Sequence, residues 1–414
     1  MARISAEEAL ARLQGGGVSK VRAAKEVAAK KAPALTLAHT VKHNKAARLY
    51  VFNREEEGEG KFIITPADSD LPPILGVCDE SAFKEGDMPP CLQDWLGEYA
   101  REIAWYQTHG GTEEAVSDGE EAAPERQSVA ALVTAKWNQS KPYNKDLDFG
   151  DGLCYVGCNA VAIGQIMFYW GLKGFHRGCL KTAAYTTSDK KYKISALTPI
   201  AAFDYKNLTA GKPTKTAAIA AVAKMLEYIG KAIKSNYTTS GTGAYPSTCA
   251  SVMKKSFRLG PNVKLIQSAS LGIAKFEENL YKELVAKRPI YMAGYNSKSG
   301  HAFVCDGYDA ATGKFHFNWG WGGSYNGWFD LSALTPAKGY DYSQKKVAII
   351  GIEPQYILGD VNKDGKIDSS DVMCVVEDVL SGSSQEISDV SSDGKTTITD
   401  VQLIVDTILG KNAL

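Results

Sequence analysis

The chain has 414 residues, of which 44% are hydrophobic, with 47 lysines and arginines against 47 aspartates and glutamates. At about 100–200 residues per domain this length predicts two to four domains, and the ordinary composition excludes a disordered, collagen-like or low-complexity chain. The balanced charge argues against a nucleic-acid binder, no run nears the roughly 18 apolar residues of a transmembrane segment, and eight cysteines are too sparse for a disulfide scaffold.

The opening stretch Met1–Leu10 lacks the apolar core of a signal peptide. The sequence therefore belongs to a cytosolic protein or to one whose export signal has been trimmed. Ser5-Ala-Glu-Glu8 is a capping-box pattern ahead of an amphipathic helix. Arg48–Asn53 and Lys61–Thr65 read as two strands around a polar loop, and Leu92–Tyr106 reads as a helix rich in tryptophan and leucine. This first segment predicts a small α+β domain with no cluster of catalytic groups. Residues 110–127 carry six acidic residues, one arginine and almost nothing large and apolar. Such a stretch buries too little surface to offset its ordering entropy and is expected to be a mobile acidic linker. A merely solvated loop is the alternative.

After Cys158 the apolar residues Ala162, Ile163, Ile166, Met167 and Trp170 recur at helical spacing. Glycines 150, 152 and 157 precede it and suit an irregular backbone. Cys158 thus stands where a loop enters a buried helix, and the positive end of the helix dipole favours its thiolate. The alternative is a buried structural cysteine. A thiolate nucleophile needs an imidazole partner. Of the six histidines, His301 has the best context: a glycine precedes it and a β-rich run follows. A turn at Asp309–Gly313 and the alternating Phe315, Phe317 and Trp319 predict a hairpin, whose return strand carries His316 and Asn318. The hairpin brings Asn318 back towards His301, with a register that sequence does not fix. An amide there would hold the imidazole in the right tautomer, the third role of a Cys-His-Asn set. A core histidine and a strand-end asparagine are the alternatives. The run Asn318–Trp328 is denser in glycine and tryptophan than a routine surface loop. Val347–Ile352 suits a buried strand, and Pro354 ends it.

The last segment holds two acidic loops. The first places oxygens at loop positions 1, 3, 5, 9 and 12 through Asp360, Asn362, Asp364, Asp368 and Asp371, with Gly365 at position 6 and Lys366 at position 7. The second repeats the plan with Asp389, Ser391, Asp393, Lys395, Thr397 and Asp400, around Gly394. Calcium takes six to eight oxygen ligands, position 7 serving through its backbone carbonyl, and glycine permits the sharp turn. Ser391 and Thr397 make the second loop the weaker site. Helices are predicted after each loop, at Val372–Leu380 and Val401–Leu409. Asp-Gly turns in a solvated tail are the alternative to calcium sites.

Four pieces in this order resemble the streptopain family of papain-like cysteine peptidases: Trp137–Asn144, Gly157-Cys158 with Gln165-Ile-Met, Gly300–Val304 with Asp306-Gly307, and Asn318–Gly323 with Leu331–Leu334. The resemblance runs from about Ser128 to Glu353. Ser5–Leu13, Tyr50–Asn53 and Pro73–Gly76 are similar to that family's inhibitory prodomain, and the duplicated acidic loops resemble a dockerin module.

The resemblance implies an α+β, papain-like catalytic domain at 128–353, an inhibitory α+β prodomain at 1–127 and a small helical, calcium-binding dockerin-like module at 354–414. It implies Cys158 as nucleophile, His301 as general acid and base, and Gln139 as the oxyanion-hole amide, with Asn318 and Trp319 orienting and covering the histidine. It further implies a secreted or cell-surface endopeptidase made as a zymogen, with a preference for a hydrophobic residue two positions before the scissile bond. Structural calcium, peptide or protein substrates and a cohesin-like docking partner complete the expectation. Two departures stand out: Cys154, four residues before Cys158, competes for the nucleophile assignment, and Asn159 replaces the family's commoner valine. A zinc site of Cys154, Cys158 and His176 lacks a second ligand pair. An acyl-transferring enzyme on the same fold, or a non-catalytic protein whose main role is docking, are the rival readings.

Overall fold

A computed structural model describes residues 3–17, 34–54, 60–109, 126–176, 178–180, 182–295, 300–332, 346–354, 358–362, 366–383, 385, 387–391 and 393–411. The expected acidic linker up to residue 125 and the expected ligand Asp364 lie outside the described residues. In chain order come α1 (Ala6–Arg12), β1 (Leu35–His43), β2 (Ala46–Arg54), β3 (Lys61–Pro66), β4 (Gly76–Cys78) and α2 (Pro90–His109). They are followed by α3 (Cys158–Gly171), β5 (Tyr185–Thr186), β6 (Lys193–Ile194), α4 (Thr216–Ala232), α5 (Pro246–Lys255) and β7 (Lys264–Gln267). Next are α6 (Ser268–Leu271), α7 (Ile273–Val285), β8 (Ile290–Tyr295), β9 (Gly300–Asp309), β10 (Lys314–Asn318), β11 (Gly327–Phe329) and β12 (Val347–Ile350). The tail adds α8 (Ser369–Ser381) and α9 (Ile398–Ile408).

The chain divides into two compact units, residues 1–132 with 266–348 and residues 133–265 with 349–414. The first is organised by one sheet in which β1-β2-β3-β4-β11-β10-β9-β8 are neighbours in that order. From β1 to β8 every neighbouring pair is antiparallel. The N-terminal strands thus continue the sheet that carries His301. The junction is β4 against β11, with Val77 opposite Trp328. A Cβ on Gly327 would lie 2.2 Å from the Val77 carbonyl oxygen, so this close pairing requires glycine.

Helix α1 opens on the expected capping box: Ser5 Oγ accepts the Glu8 N–H at 3.2 Å, and Glu8 Oε2 accepts the Ser5 N–H at 2.7 Å. Its apolar side joins Tyr50, Phe52, Ile63 and Ile74 in a core beneath β2 and β3. Helix α2 buries Trp95, Tyr99 and Ile103, spaced four residues apart on one face. That face meets strands β9 and β10, where the Trp95 ring lies 5.8 Å from Phe303, 5.0 Å from Phe317 and 6.2 Å from Trp319.

The second unit is built on α3, which is buried along its whole length. Helices α4 and α5 flank it, and Gly164 of α3 packs so tightly that a Cβ there would lie 2.8 Å from Leu226. In the tail, α8 and α9 enclose Val375, Val390, Val401 and Ile404. Ala201 and Ala202 pack against this small core from outside the tail.

Candidate active site

In the second unit, Cys158 is the first residue of α3 and is buried. Gly157 caps the helix with φ +93, and Gly150 and Gly152 are also in the positive-φ region. A side chain at 157 would be strained and would also press on Thr242, so glycine is dictated by the turn that delivers the cysteine. The arrangement sets the cysteine at the N-terminal end of a helix of 14 residues, where the helix dipole favours thiolate. Gln139 lies beside this turn. Its carbonyl oxygen accepts the Val156 N–H at 3.0 Å, two residues before the cysteine. Asn144 Nδ2 holds the same segment through the Cys154 carbonyl at 2.8 Å. Cys154 is buried, carries a free thiol and has its pKa raised, first by burial and then by Asp148. Such a thiol is the poorer nucleophile of the two.

Asn159, which departs from the commoner valine, contacts two cysteines. Its Nδ2 donates to Cys158 Sγ at 3.7 Å, and its Oδ1 accepts from Cys249 Sγ at 3.7 Å. A donor to sulfur favours the charged form of the thiol. The residue was conspicuous in sequence, but its partner Cys249 lies 90 positions away and has no local signal.

In the first unit, His301 pairs in the sheet with Gly294 of β8. The hairpin from β9 to β10 forms as expected, with a bulge between His316 and Phe317 that sets Asn318 opposite Val304. Asn318 is buried, and its Oδ1 accepts the Gly320 N–H at 3.1 Å. Trp319 is buried just beyond it. Its backbone N–H donates to Asn326 Oδ1 at 3.1 Å and its indole N–H to the Tyr325 carbonyl at 2.9 Å. The glycine- and aromatic-rich run is therefore a loop folded on itself around Trp319, with Gly320, Gly322 and Gly323 at positive φ. His316 goes elsewhere: its Nδ1 meets Asp306 Oδ1 at 2.6 Å in a buried pair beside Trp328.

A carboxylate from the N-terminal segment reaches His301. Asp94 of α2 places Oδ2 3.6 Å from His301 Nε2, with each side chain 21% exposed. Burial lowers the His301 pKa, and the Asp94 charge works in the opposite direction without overcoming it. The N-terminal segment makes further contacts with the later strands and loops of this unit. Cys91 Sγ donates to the Trp319 carbonyl at 3.8 Å, Tyr325 N–H to Ser81 Oγ at 2.9 Å, and Tyr325 O–H to the Lys84 carbonyl at 2.9 Å. Lys346 reaches Glu98 at 3.2 Å and lies 4.9 Å from the centre of the Trp95 ring. Asp94 had no sequence signal, because its partner is more than two hundred residues away.

The tail loops are wired through their last carboxylates. Asp371 Oδ1 accepts the N–H groups of Val361 and Asn362 at 2.7 and 3.1 Å, and Oδ2 accepts that of Asp368 at 2.9 Å. Asp400 likewise accepts the N–H groups of Ser391 and Thr397, both at 2.7 Å. Asp360, Asp371, Asp389 and Asp400 are all buried.

Three stretches of the chain match known protein families. Residues 4–103 match the Spi protease inhibitor family, 137–329 the peptidase C10 family, and 358–409 the dockerin type I domain. The thiol protease/hemagglutinin PrtT of Porphyromonas gingivalis is 28% identical over 387 residues, 83% of this chain. The chain spans only 42% of that relative's length. Streptopain of Streptococcus pyogenes is 26% identical over 343 residues, which are 74% of this chain and 81% of streptopain. A solved fragment of Prevotella intermedia prointerpain A superimposes with a TM-score of 0.63 at 24% identity, covering 77% of this chain and 99% of the fragment. The likeness establishes the papain-like fold.

Proposed function

We propose that the chain is the latent form of a secreted endopeptidase that works through Cys158 and His301; the peptidase C10 match at 137–329, with the Spi protease inhibitor match before it and the dockerin type I match after it, supports this reading. The thiolate of Cys158 attacks the scissile carbonyl, and the Gln139 amide with the Cys158 N–H stabilises the oxyanion. His301 protonates the leaving amine and then activates water to hydrolyse the thioester. Asn318 positions the imidazole, and Trp319 covers it. The resemblance to streptopain supports the assignment of these residues, and with it a preference for a hydrophobic residue two positions before the cleaved bond.

The observation that carries the latent reading is α2. This helix belongs to the inhibitor-like segment, packs Trp95 on the strands that bear His301, and sets Asp94 3.6 Å from the His301 ring. An imidazole facing a carboxylate from that segment is engaged before any substrate arrives. The test is incubation of the purified chain with casein under reducing conditions. New amino termini should appear only after the chain has shortened, and a thiol-directed covalent inhibitor should abolish them. Acyl transfer without new termini would contradict the reading.

The tail fits calcium. Buried carboxylates need pairing or a metal, and the two loops assemble Asp360, Asp371, Asp389 and Asp400 around backbone amides that orient them. Asp360, Asn362, Asp364, Lys366, Asp368 and Asp371 would hold one ion, and Asp389, Ser391, Asp393, Lys395, Thr397 and Asp400 a second. Calcium there would neutralise the clustered charge and add its binding energy to the folding of the module. Scanning calorimetry of the Cys158→Ala chain with calcium and with chelator is the check. A transition that moves up with calcium is expected, and identical scans would contradict the assignment. The module further supports an extracellular location and a cohesin-like partner. No helix among the described residues is long and apolar enough to cross a membrane.

A further inference from the structure

Arg258 follows α5 in the turn Phe257-Arg-Leu-Gly260 and has φ +51, a left-handed backbone that residues with side chains rarely adopt. Its guanidinium does not face water. Nη1 donates to the Asp389 backbone carbonyl at 2.8 Å and Nη2 to Asp389 Oδ2 at 2.9 Å, with Arg258 9% and Asp389 3% exposed. Asp389 is the first position of the second acidic loop. A carboxylate offers about four lone-pair sites, and the structure fills them all. Oδ1 accepts from the Asp393 N–H at 3.1 Å and Ser391 Oγ at 3.3 Å, and Oδ2 from the Gly394 N–H at 2.9 Å besides the guanidinium. An ion ligated by Asp389 must displace one of these donors. Three of them belong to the loop itself, and the fourth comes from the peptidase domain and carries a like charge.

We propose that Arg258 latches the C-terminal module to the peptidase domain through the second loop, and that calcium and the latch compete for Asp389. The contact of Ala201 and Ala202 with the module's core widens the same docking surface. The charge inventory agrees. The first loop carries four aspartates, at 360, 364, 368 and 371, whereas the second carries three, at 389, 393 and 400, one of them paired with arginine. Calcium therefore fills the first loop before the second, and filling the second loosens the module. Coupling of this kind is reciprocal, so removing the latch tightens the second site by the same factor that calcium weakens the latch.

The inference rests on the calcium reading of the tail, and the experiment separates the two. The full chain carrying Cys158→Ala is titrated with calcium by calorimetry, alone and with Arg258→Gln or Arg258→Lys, while small-angle scattering follows the radius of gyration. In the parent, one tight and one weaker step are expected, with the radius rising over the weaker step. Arg258→Gln should tighten that step by roughly tenfold, the range typical of coupled sites, leave the first unchanged, and start at the larger radius. Arg258→Lys, which keeps the charge but not the fork, should fall between. If the glutamine variant fails to fold, the lysine variant against the parent carries the comparison. Two steps with the same affinities in all three chains, or calcium in the first loop alone throughout, would overturn the competition and leave the calcium reading standing. No calcium at either loop would overturn both.

Discussion

Cys158 and Cys154 lie four residues apart, and their surroundings separate them. One opens a buried helix behind a positive-φ glycine, and the other is a buried thiol with a raised pKa. We expect Cys158→Ala to abolish peptide hydrolysis and Cys154→Ala to leave most of it, measured on casein after activation. Gln139→Ala should cost about 10²–10³ in rate, as the loss of one oxyanion donor does. The glycine and the helix behind Cys158 were legible in the sequence. Gln139 was legible only through the family resemblance, because a half-buried glutamine in a loop has no local signature. Asp94, Asn159 and Arg258 act through partners far along the chain, and no local pattern announces such contacts.

His316 makes a second residue-level prediction. Burial opposes its charge, but the Asp306 carboxylate, with Glu80 and Asp79 farther off, raises its pKa above the ordinary 6.5. A histidine whose folded pKa is raised stabilises fully below the unfolded value, and that contribution is lost as pH rises through the folded one. The melting temperature of the Cys158→Ala chain should therefore fall as the pH rises above 6.5. His301 is lowered instead, so it adds a slope of the opposite sign that fades as the pH rises above 6.5. His316→Gln should flatten the slope and cost about 3 kcal/mol, since it leaves Asp306 buried without its counter-charge. A slope that persists in the variant would assign the effect to another group.

Among elements, the proposed latency rests on α2. Its Trp95 lies among Phe303, Phe317 and Trp319, whereas Asp94 and His301 are partly exposed. A carboxylate facing an imidazole whose charged form burial disfavours is worth at most about 1 kcal/mol, and truncation of a buried tryptophan costs about 3–5 kcal/mol. Asp94→Asn should thus speed activation by no more than about fivefold. Trp95→Ala should release the segment and give a chain with little latency. The appearance of shortened chain with time measures both. A larger effect from Asp94→Asn would move the hold from packing to charge. The sequence predicted this helix, the β9–β10 hairpin and the capped α1, because each is set by local periodicity and turn chemistry. It did not predict that β4 would pair with β11, since that register joins residues about 250 positions apart. Only the two glycines hint at it in retrospect: a Cβ on Gly76 would lie 2.7 Å from Phe329, and one on Gly327 2.2 Å from the Val77 carbonyl oxygen.

At the scale of the whole molecule, the compact units do not follow the order of the sequence. The N-terminal segment shares a unit with the half of the peptidase domain that carries His301, Asn318 and Trp319, and Cys158 with Gln139 lies in the other unit. Composition could mark the acidic stretch at 110–127 and the end of the strand before Pro354. It could not show that a sheet would run from the first segment into the last quarter of the chain. The division into a prodomain, a peptidase domain from about Ser128 and a module from Pro354 is a proposal about the chain's history: the first part is removed, and the rest works. The measurement that tests this most directly is the N-terminal sequence and mass of the chain during activation under reducing conditions. The account predicts a loss of about 110–130 residues, at the acidic stretch, because nicking concentrates in segments with little apolar surface to bury. Activity should appear with that loss, and the Cys158→Ala chain should stay full length until active enzyme is added. A mature chain that begins beyond Gln139, or full activity in the uncut chain, would contradict it.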